Sequence, residues 1–315
     1  MNIREDPLVT IGMPVFNGEA FLDRAIQSLL NQEFHNFRLI IADNCSTDKT
    51  ALICKKYSQE DNRIEYFRHN KNEGPFYNFQ FVFDKATTEY FMWASHDDYW
   101  FPGFIQELVS ILEANDDCII AFPVARYVDE EGYILKQNPC LNKSLQPVYS
   151  EKNNKKLLHN ISFYKFLFAE MSSGKLDLFY GLFRKKELNG SNFVAKWKDI
   201  LWGNDSLIIA EILMYGNAYF IDKPLMDKMV RRDSAGVKID KTKSLSTIIR
   251  DTLSTLYDIN IWAIKGHNRL FKVKSRFKIS RTTSFLYISY EVLRSNLRMF
   301  KLILIGIFNR ILVKK

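Results

Sequence analysis

Cysteine is scarce and unpatterned: the 315 residues hold four, Cys45, Cys54, Cys118 and Cys140, with no Cys-x-x-Cys pair and no histidine at metal-binding spacing. This excludes a disulfide-stapled secreted scaffold and a structural zinc module, and the four read as free thiols of a reducing cytosol. Met1 to Asp6 run directly into the first apolar stretch without a signal region, so a site facing the cytoplasm is expected. Apolar runs never reach the roughly twenty residues that a membrane-spanning helix needs. The chain also lacks a glycine-rich, lysine-bearing triphosphate loop, which counts against a nucleotidyltransferase. Internal repeats and low-complexity segments are missing too.

What is present in the first half is an alternation of strands and helices. Leu8–Met13 is β-rich and runs into Pro14-Val15-Phe16-Asn17-Gly18-Glu19, and an amphipathic stretch follows from Phe21 to Asn31. Phe37–Ala42 repeats the pattern, entering Asp43-Asn44-Cys45-Ser46-Thr47-Asp48 and then a helix from Lys49 to about Tyr57. Ile64–Arg68 is the third strand, followed by Asn72-Glu73-Gly74-Pro75 and a helix through Asn78 to Lys85. Tyr90–Ala94 is the fourth, and Asp97 and Asp98 stand just beyond it. Such alternation implies right-handed crossovers and a mostly parallel sheet whose ligands lie outside the carboxyl ends of the strands. All four polar clusters fall on that edge. Singly, each has an ordinary explanation as a helix cap, a turn or a strand stop. Adjacent acids at the edge of a core repel, and a cation is the simplest remedy; Asp98 could instead cap a helix starting near Pro102.

Taken together and in this order, the clusters resemble the inverting nucleotide-sugar glycosyltransferases of family 2, which have the GT-A fold. The resemblance rests on Pro14–Asn17, Asp43–Asp48, Asn72–Gly74 and the acidic element at Asp97, is close from Val9 to Pro123, and continues more weakly to about Arg232. It implies an α/β, Rossmann-like, mostly parallel sheet flanked by helices. Pro14 and Val15 would border the nucleobase and Asp43 would accept a hydrogen bond from the base edge. Asn17, Glu19, Gly74 and Asn78 would complete the donor site. Asp97 aligns with the metal-binding second acid of the family's Asp-x-Asp, so the implied cofactor is a divalent cation, Mg²⁺ or Mn²⁺. Ser95 stands where the first acid usually is, and His96 or Asp98 is expected to take over part of its role.

In the second half, Trp202-Gly203-Asn204-Asp205-Ser206-Leu207 matches the element that supplies the family's catalytic base at the start of a helix, here Leu207–Tyr215. Asp205 is the implied base, with Asn204 replacing the preceding acid. Met229–Ser234 resembles the basic element near the donor diphosphate, and Arg232 is favoured over Arg231. Val124–Tyr149 reads as irregular with a hairpin turn at Asp129–Gly132, Lys155–Glu170 as a helix, and Leu178–Arg184 as a strand beside the acceptor.

The net charge of +8 is concentrated in the tail: Lys241 to Lys315 carry sixteen Lys or Arg against three acids. Large apolar residues interleave with these cations from about Phe285 to Leu312, the pattern of a basic amphipathic helix on an anionic membrane rather than a nucleic-acid surface. Packing of this segment on the catalytic domain or a second copy of the chain is the alternative. The expected organisation is a catalytic domain over 1–235, with a nucleotide-sugar half (1–123) and an acceptor half (124–235), then a helical basic extension over 236–315. Its expected partners are a nucleoside-diphosphate sugar and a glycan or lipid-linked acceptor in surface polysaccharide synthesis, at the cytoplasmic face of the cell membrane. A catalytically silent member that binds nucleotide sugars or scaffolds other transferases is the competing reading, and the presence of both Asp97 and Asp205 argues against it.

Overall fold

The computed structural model describes residues 6–137, 158–161, 175–188, 208–209 and 211–231, all of which lie in one compact unit. Its elements in chain order are β1 (Val9–Val15), α1 (Leu22–Leu30), β2 (Phe37–Asp43), α2 (Thr50–Glu60), β3 (Ile64–Arg68), α3 (Pro75–Lys85), β4 (Tyr90–Trp93), β5 (Tyr99–Trp100), α4 (Phe104–Ala114), β6 (Cys118–Val128), β7 (Ile134–Gln137), β8 (Leu158–Ile161), β9 (Leu182–Arg184) and β10 (Asn217–Met229). The sheet runs β3-β2-β1-β4-β9-β6-β10-β5, with β7 added to β6 and β8 to β10. Pairing is parallel across β3, β2, β1 and β4 and again between β6 and β10; β5, β7, β8 and β9 join antiparallel. The sheet is therefore mixed, and its long pairings are parallel.

β1 is buried at all seven positions because it is a central strand covered on both faces. Its odd residues Val9, Ile11, Met13 and Val15 join a core with α1, α2 and α4. α1 presents Leu22, Ala25, Ile26 and Leu29 to it, the i, i+3, i+4, i+7 spacing of one helical face. Each such Leu or Ile contributes about 1.5–3 kcal/mol. On the opposite face a Cβ at Gly12 would lie 2.8 Å from Val82 of α3 and 2.9 Å from Phe91, so α3 approaches the strand more closely than a larger residue permits. Phe83, Phe91, Trp93, Phe179 and Phe183 fill that side, with Trp93 and Phe179 stacked at 4.6 Å.

Several expectations are corrected. Pro14 does not stop the strand; it is paired with Ala42 inside β1. Gly12 turns its carbonyl toward β4, so alternation turns position 14 the same way, and β4 makes its last pairing opposite Gly12. The missing N–H of Pro14 therefore leaves no ladder bond unmade. Val124–Val128 are not irregular but continue β6, and the hairpin at Asp129–Gly132, with Gly132 at φ +88°, leads into β7. Leu158–Ile161 form an antiparallel strand on β10 rather than part of a helix. Within Leu178–Arg184 only Leu182–Arg184 are extended, after a 3-10 turn at Lys175–Tyr180. The helix expected near Pro102 is present, beginning at Phe104, but Gly103 and not Asp98 stands at its cap. Ile208, Ile209, Glu211 and Ile212 are helical, as expected within Leu207–Tyr215, but Leu213–Tyr215 form a turn. Cys45, Cys54 and Cys118 are free, and burial pushes the thiols of Cys54 and Cys118 up to about 12, which makes them inert.

Candidate donor site at the strand ends

Four loops follow the carboxyl ends of β1, β2, β3 and β4, and hydrogen bonds or close contacts join them into one surface. The first two interlock. Asn17, at φ +50°, accepts from Thr47 N (2.9 Å) through its side-chain oxygen while its own N–H donates to Ser46 Oγ (2.9 Å). Gly18 N donates to Thr50 Oγ1 (2.8 Å). The Glu19 carboxylate accepts from Lys49 N (2.8 Å), and Glu19 N donates to Asp48 (3.0 Å). Asn17 and Glu19 thus act as clamps between loops. Burial alone would raise the Asp48 pKa, but bonds from Thr50 and from the N–H of Glu19 outweigh it and hold the carboxyl below its ordinary value.

Asp43 ends β2 with no exposed surface. One oxygen accepts from Ser46 N (2.8 Å); the other accepts from the Tyr66 hydroxyl (2.9 Å) and lies 3.7 Å from the Arg68 guanidinium. Burial, and then Asp43, raise the Tyr66 phenol well above its usual range. Tyr66, Arg68 and Asn44 were not foreseen. The signal for the first two was their spacing of two at the end of β3, which puts both on one strand face.

Asn44 donates to Asn72 (2.8 Å) and accepts from Glu73 N (2.9 Å), which ties the second loop to the third. Gly74, at φ +85°, has open space where a Cβ would be, so conformation and not crowding requires glycine there. Asn78 is 2% exposed. Its amide donates to Ala42 O (2.8 Å) and its oxygen meets His69 Nε2 (3.0 Å), so it braces strand ends from inside. Cys45 sits at φ +64°, uncommon for a residue without a short polar side chain that hydrogen-bonds locally.

The fourth loop carries Ser95, His96, Asp97 and Asp98. The two acids diverge. Asp98 is 3% exposed and accepts from Met229 N of β10 (3.0 Å). Asp97 accepts a short hydrogen bond from Ser95 Oγ, and its other oxygen lies 4.0 Å from Arg231 Nη1. His96 packs against the first loop, since a Cβ on Gly18 would come within 2.8 Å of its ring. Its Nε2 is buried without a hydrogen-bond partner, and burial lowers the imidazole pKa, which favours the neutral ring. Among the described residues no group of three His, Cys, Asp or Glu could hold a metal alone. One carboxylate at the strand end does suit a magnesium-type ion, which is held by one or two carboxylates together with phosphates and water.

The structure therefore brings Pro14, Val15, Asn17, Glu19, Asp43, Gly74, Asn78, His96, Asp97 and Asp98 to one edge, with Arg231 beside Asp97. Asp205, Arg232, the basic tail and the boundary at 235 lie outside the described residues.

Residues 10–175 match the family described as Glycosyl transferase family 2. An uncharacterized glycosyltransferase of Rickettsia typhi is 32% identical over 130 residues, 41% of this chain and 40% of that protein. The GalNAc(5)-diNAcBac-PP-undecaprenol beta-1,3-glucosyltransferase of Campylobacter jejuni is 25% identical over 236 residues, 75% of this chain and 69% of that one. The match thus spans about two fifths of the rickettsial protein. Residues 1–349 of S. aureus TarS in complex with UDP superpose with a TM-score of 0.60 at 14% identity, over 90% of this chain and 70% of that one. The UDP-GlcNAc complex gives 0.59 at 15% identity, over 92% and 72%. At such identities the likeness is one of fold. With the family match covering just over half of its residues, the chain belongs to glycosyl transferase family 2.

Proposed function

We propose that this chain transfers a sugar, with inversion, from a nucleoside-diphosphate sugar to a hydroxyl of a glycan or lipid-linked acceptor in surface polysaccharide synthesis. The observation that carries the reading is the interlocked edge of four strand-end loops, with Asp43 at one end and Asp97 at the other. A nucleotide sugar has the same polarity: a flat base, then a diphosphate. The acceptor class is supported by the Campylobacter relative, whose name gives an undecaprenol-linked substrate.

In this reading Pro14 and Val15 border the base, Asp43 and its network fix the pocket wall, and Asn17, Glu19, Gly74 and Asn78 hold the loops around the donor. His96, its buried Nε2 without a hydrogen-bond partner, and Asp98 shape the wall beside the diphosphate. Asp97 would hold a divalent cation, Mg²⁺ or Mn²⁺, which when bound acts as a Lewis acid toward charge on the leaving diphosphate. Arg232 would add a planar fork of donors for phosphate. Asp205 would accept the proton of the acceptor hydroxyl as that oxygen attacks the anomeric carbon from the face opposite the leaving group. The basic amphipathic tail would hold the enzyme at the inner face of an anionic membrane, where a lipid-linked acceptor is presented. Among the described residues no helix is long and apolar enough to cross a membrane.

A thermal-shift panel of nucleoside diphosphates and nucleotide sugars with Mg²⁺ or Mn²⁺ tests the donor class, because a ligand that binds the native state raises apparent stability. At least one nucleotide should raise the melting temperature in a metal-dependent way. A flat panel would overturn the donor assignment.

A further inference from the structure

Asp97 offers one carboxylate to a cation, and the groups beside it oppose binding of the ion alone. At the position two residues before it stands Ser95, a neutral hydroxyl, and this hydroxyl already donates to one carboxylate oxygen. The other oxygen faces the Arg231 guanidinium at 4.0 Å, with side chains 31% and 14% exposed, so water screens the pair only in part. Asp98, the nearest acid in sequence, turns instead to the main chain of β10. His96 contributes no negative charge. Taken as a pair, Asp97 and Arg231 sum to zero.

Arg231 is not there by chance of a loose surface chain. Met229 N is held by Asp98 (3.0 Å) and Val230 N by Val128 O (2.7 Å), so the two residues before Arg231 are fixed from two sides. The Asp98 carboxylate thereby anchors the backbone that leads into Arg231. A dehydration-resistant divalent cation gains little from a single carboxylate that already has a counter-ion. A diphosphate changes that balance, because it brings further oxygen ligands for the ion and pairs of phosphate oxygens that accept from the planar arginine fork.

We infer that Ser95 and Arg231 keep Asp97 a weak cation site in the donor-free protein, and that Asp97 gains its ion together with the diphosphate as the Arg231 guanidinium turns from its ion pair with the carboxylate to hydrogen-bond the phosphate. This rests on the donor reading above and deepens it: Arg231 becomes the residue that couples metal affinity to donor binding, with Asp98 anchoring the backbone that leads into it.

The test is a titration of Mn²⁺ into the full chain, read by the electron paramagnetic resonance signal of free Mn²⁺, alone and with UDP or GDP. Wild-type protein should bind Mn²⁺ at least about tenfold more tightly when a nucleotide is bound, the order of a coupling free energy of 1–3 kcal/mol. Arg231→Gln should tighten nucleotide-free Mn²⁺ binding by about 5-fold, the worth of a part-exposed ion pair, and should weaken the nucleotide's effect. Arg231→Lys, which keeps the charge, should stay near wild type without nucleotide. Ser95→Asp should also tighten nucleotide-free binding, and it provides an independent reading should the arginine variant fold poorly. If Mn²⁺ and nucleotide bind together but neither Arg231→Gln nor Ser95→Asp alters nucleotide-free Mn²⁺ affinity, this inference alone is overturned. If nucleotide binds and Mn²⁺ never does, the metal role of Asp97 falls with it. If no nucleotide binds, the donor reading itself fails.

Discussion

Replacing Asp43 by Asn probes the network that closes the end of β2 without changing its shape. The carboxylate has no exposed surface and accepts from Ser46 N at 2.8 Å and the Tyr66 hydroxyl at 2.9 Å, with Arg68 at 3.7 Å. An amide can keep the Ser46 bond, and the Tyr66 hydroxyl can rotate to accept instead of donate. What is lost is the charge on two hydrogen bonds, about 1 kcal/mol each, and a smaller contribution from Arg68, which is 41% exposed and screened. A loss of about 2 kcal/mol is expected. For a protein of 315 residues that lowers the melting temperature by about 3 °C, read by differential scanning fluorimetry. Tyr66→Phe should cost about 1 kcal/mol, and because both changes act on the same bond, one weakening and one removing it, the double variant should lose less than the sum, by up to about 1 kcal/mol. The donor KM of Asp43→Asn should rise more than kcat falls, since the residue shapes a pocket and not the reacting centre. A single variant that melts within about 1 °C of wild type, or a strictly additive pair, would refute the network as the source of stability here.

Asp48→Asn should loosen the clamp between the first two loops and cost about 1 kcal/mol at neutral pH. Because the folded state holds the Asp48 carboxyl below its ordinary 3.8, its contribution is complete above that value and fades as pH falls through the depressed one; the penalty of the variant, from paired urea melts, should therefore shrink only below about pH 4. A penalty unchanged down to pH 3 would contradict the assignment. Asp205→Asn should leave nucleotide binding intact and slow the chemical step by about 10²-fold or more, measured in single-turnover transfer; wild-type rates would place the base elsewhere. Liposome flotation should carry the full chain, but not a form ending near Arg281, with anionic vesicles, and salt should release it only partly. Indifference to anionic lipid would make the tail a packing or oligomerisation element.

The parallel half of the fold was legible because its signals are local. β3 is bounded as the sequence indicates, and β1, β2 and β4 are short apolar runs that end in turn chemistry, each backed by a helix whose face repeats at 3.6. Of the strands beyond β4 only β9, inside the expected strand Leu178–Arg184, and the hairpin turn before β7 were legible in the sequence; β5, β8 and β10 were hidden because their partners are distant. Tyr99–Trp100 is extended only because β10 lies beside it, and Leu158–Ile161 carry an apolar spacing that a helix would also accommodate until β10 pairs with them. β10 itself is masked by Asp222, Lys223 and Pro224 and by register shifts against β6, which break any alternation. In the site, the motif residues from Pro14 to Asp98 lie at one edge, but their duties differ from a simple contact list. Asn17, Glu19 and Asn78 spend their side chains on neighbouring loops, and Asp98 on β10. Short polar residues at strand ends carry no mark that separates a ligand contact from a loop clamp, because both uses draw on the same donors and acceptors.

The most direct test of the central claim is donor turnover by the full chain: release of nucleoside diphosphate from a panel of nucleotide sugars with Mn²⁺ or Mg²⁺, followed by NMR of the anomeric configuration of any transferred sugar. The account predicts that at least one donor is turned over with inversion, and that both excess EDTA and Asp97→Asn abolish the release. Full turnover in EDTA, or retention of configuration, would contradict it.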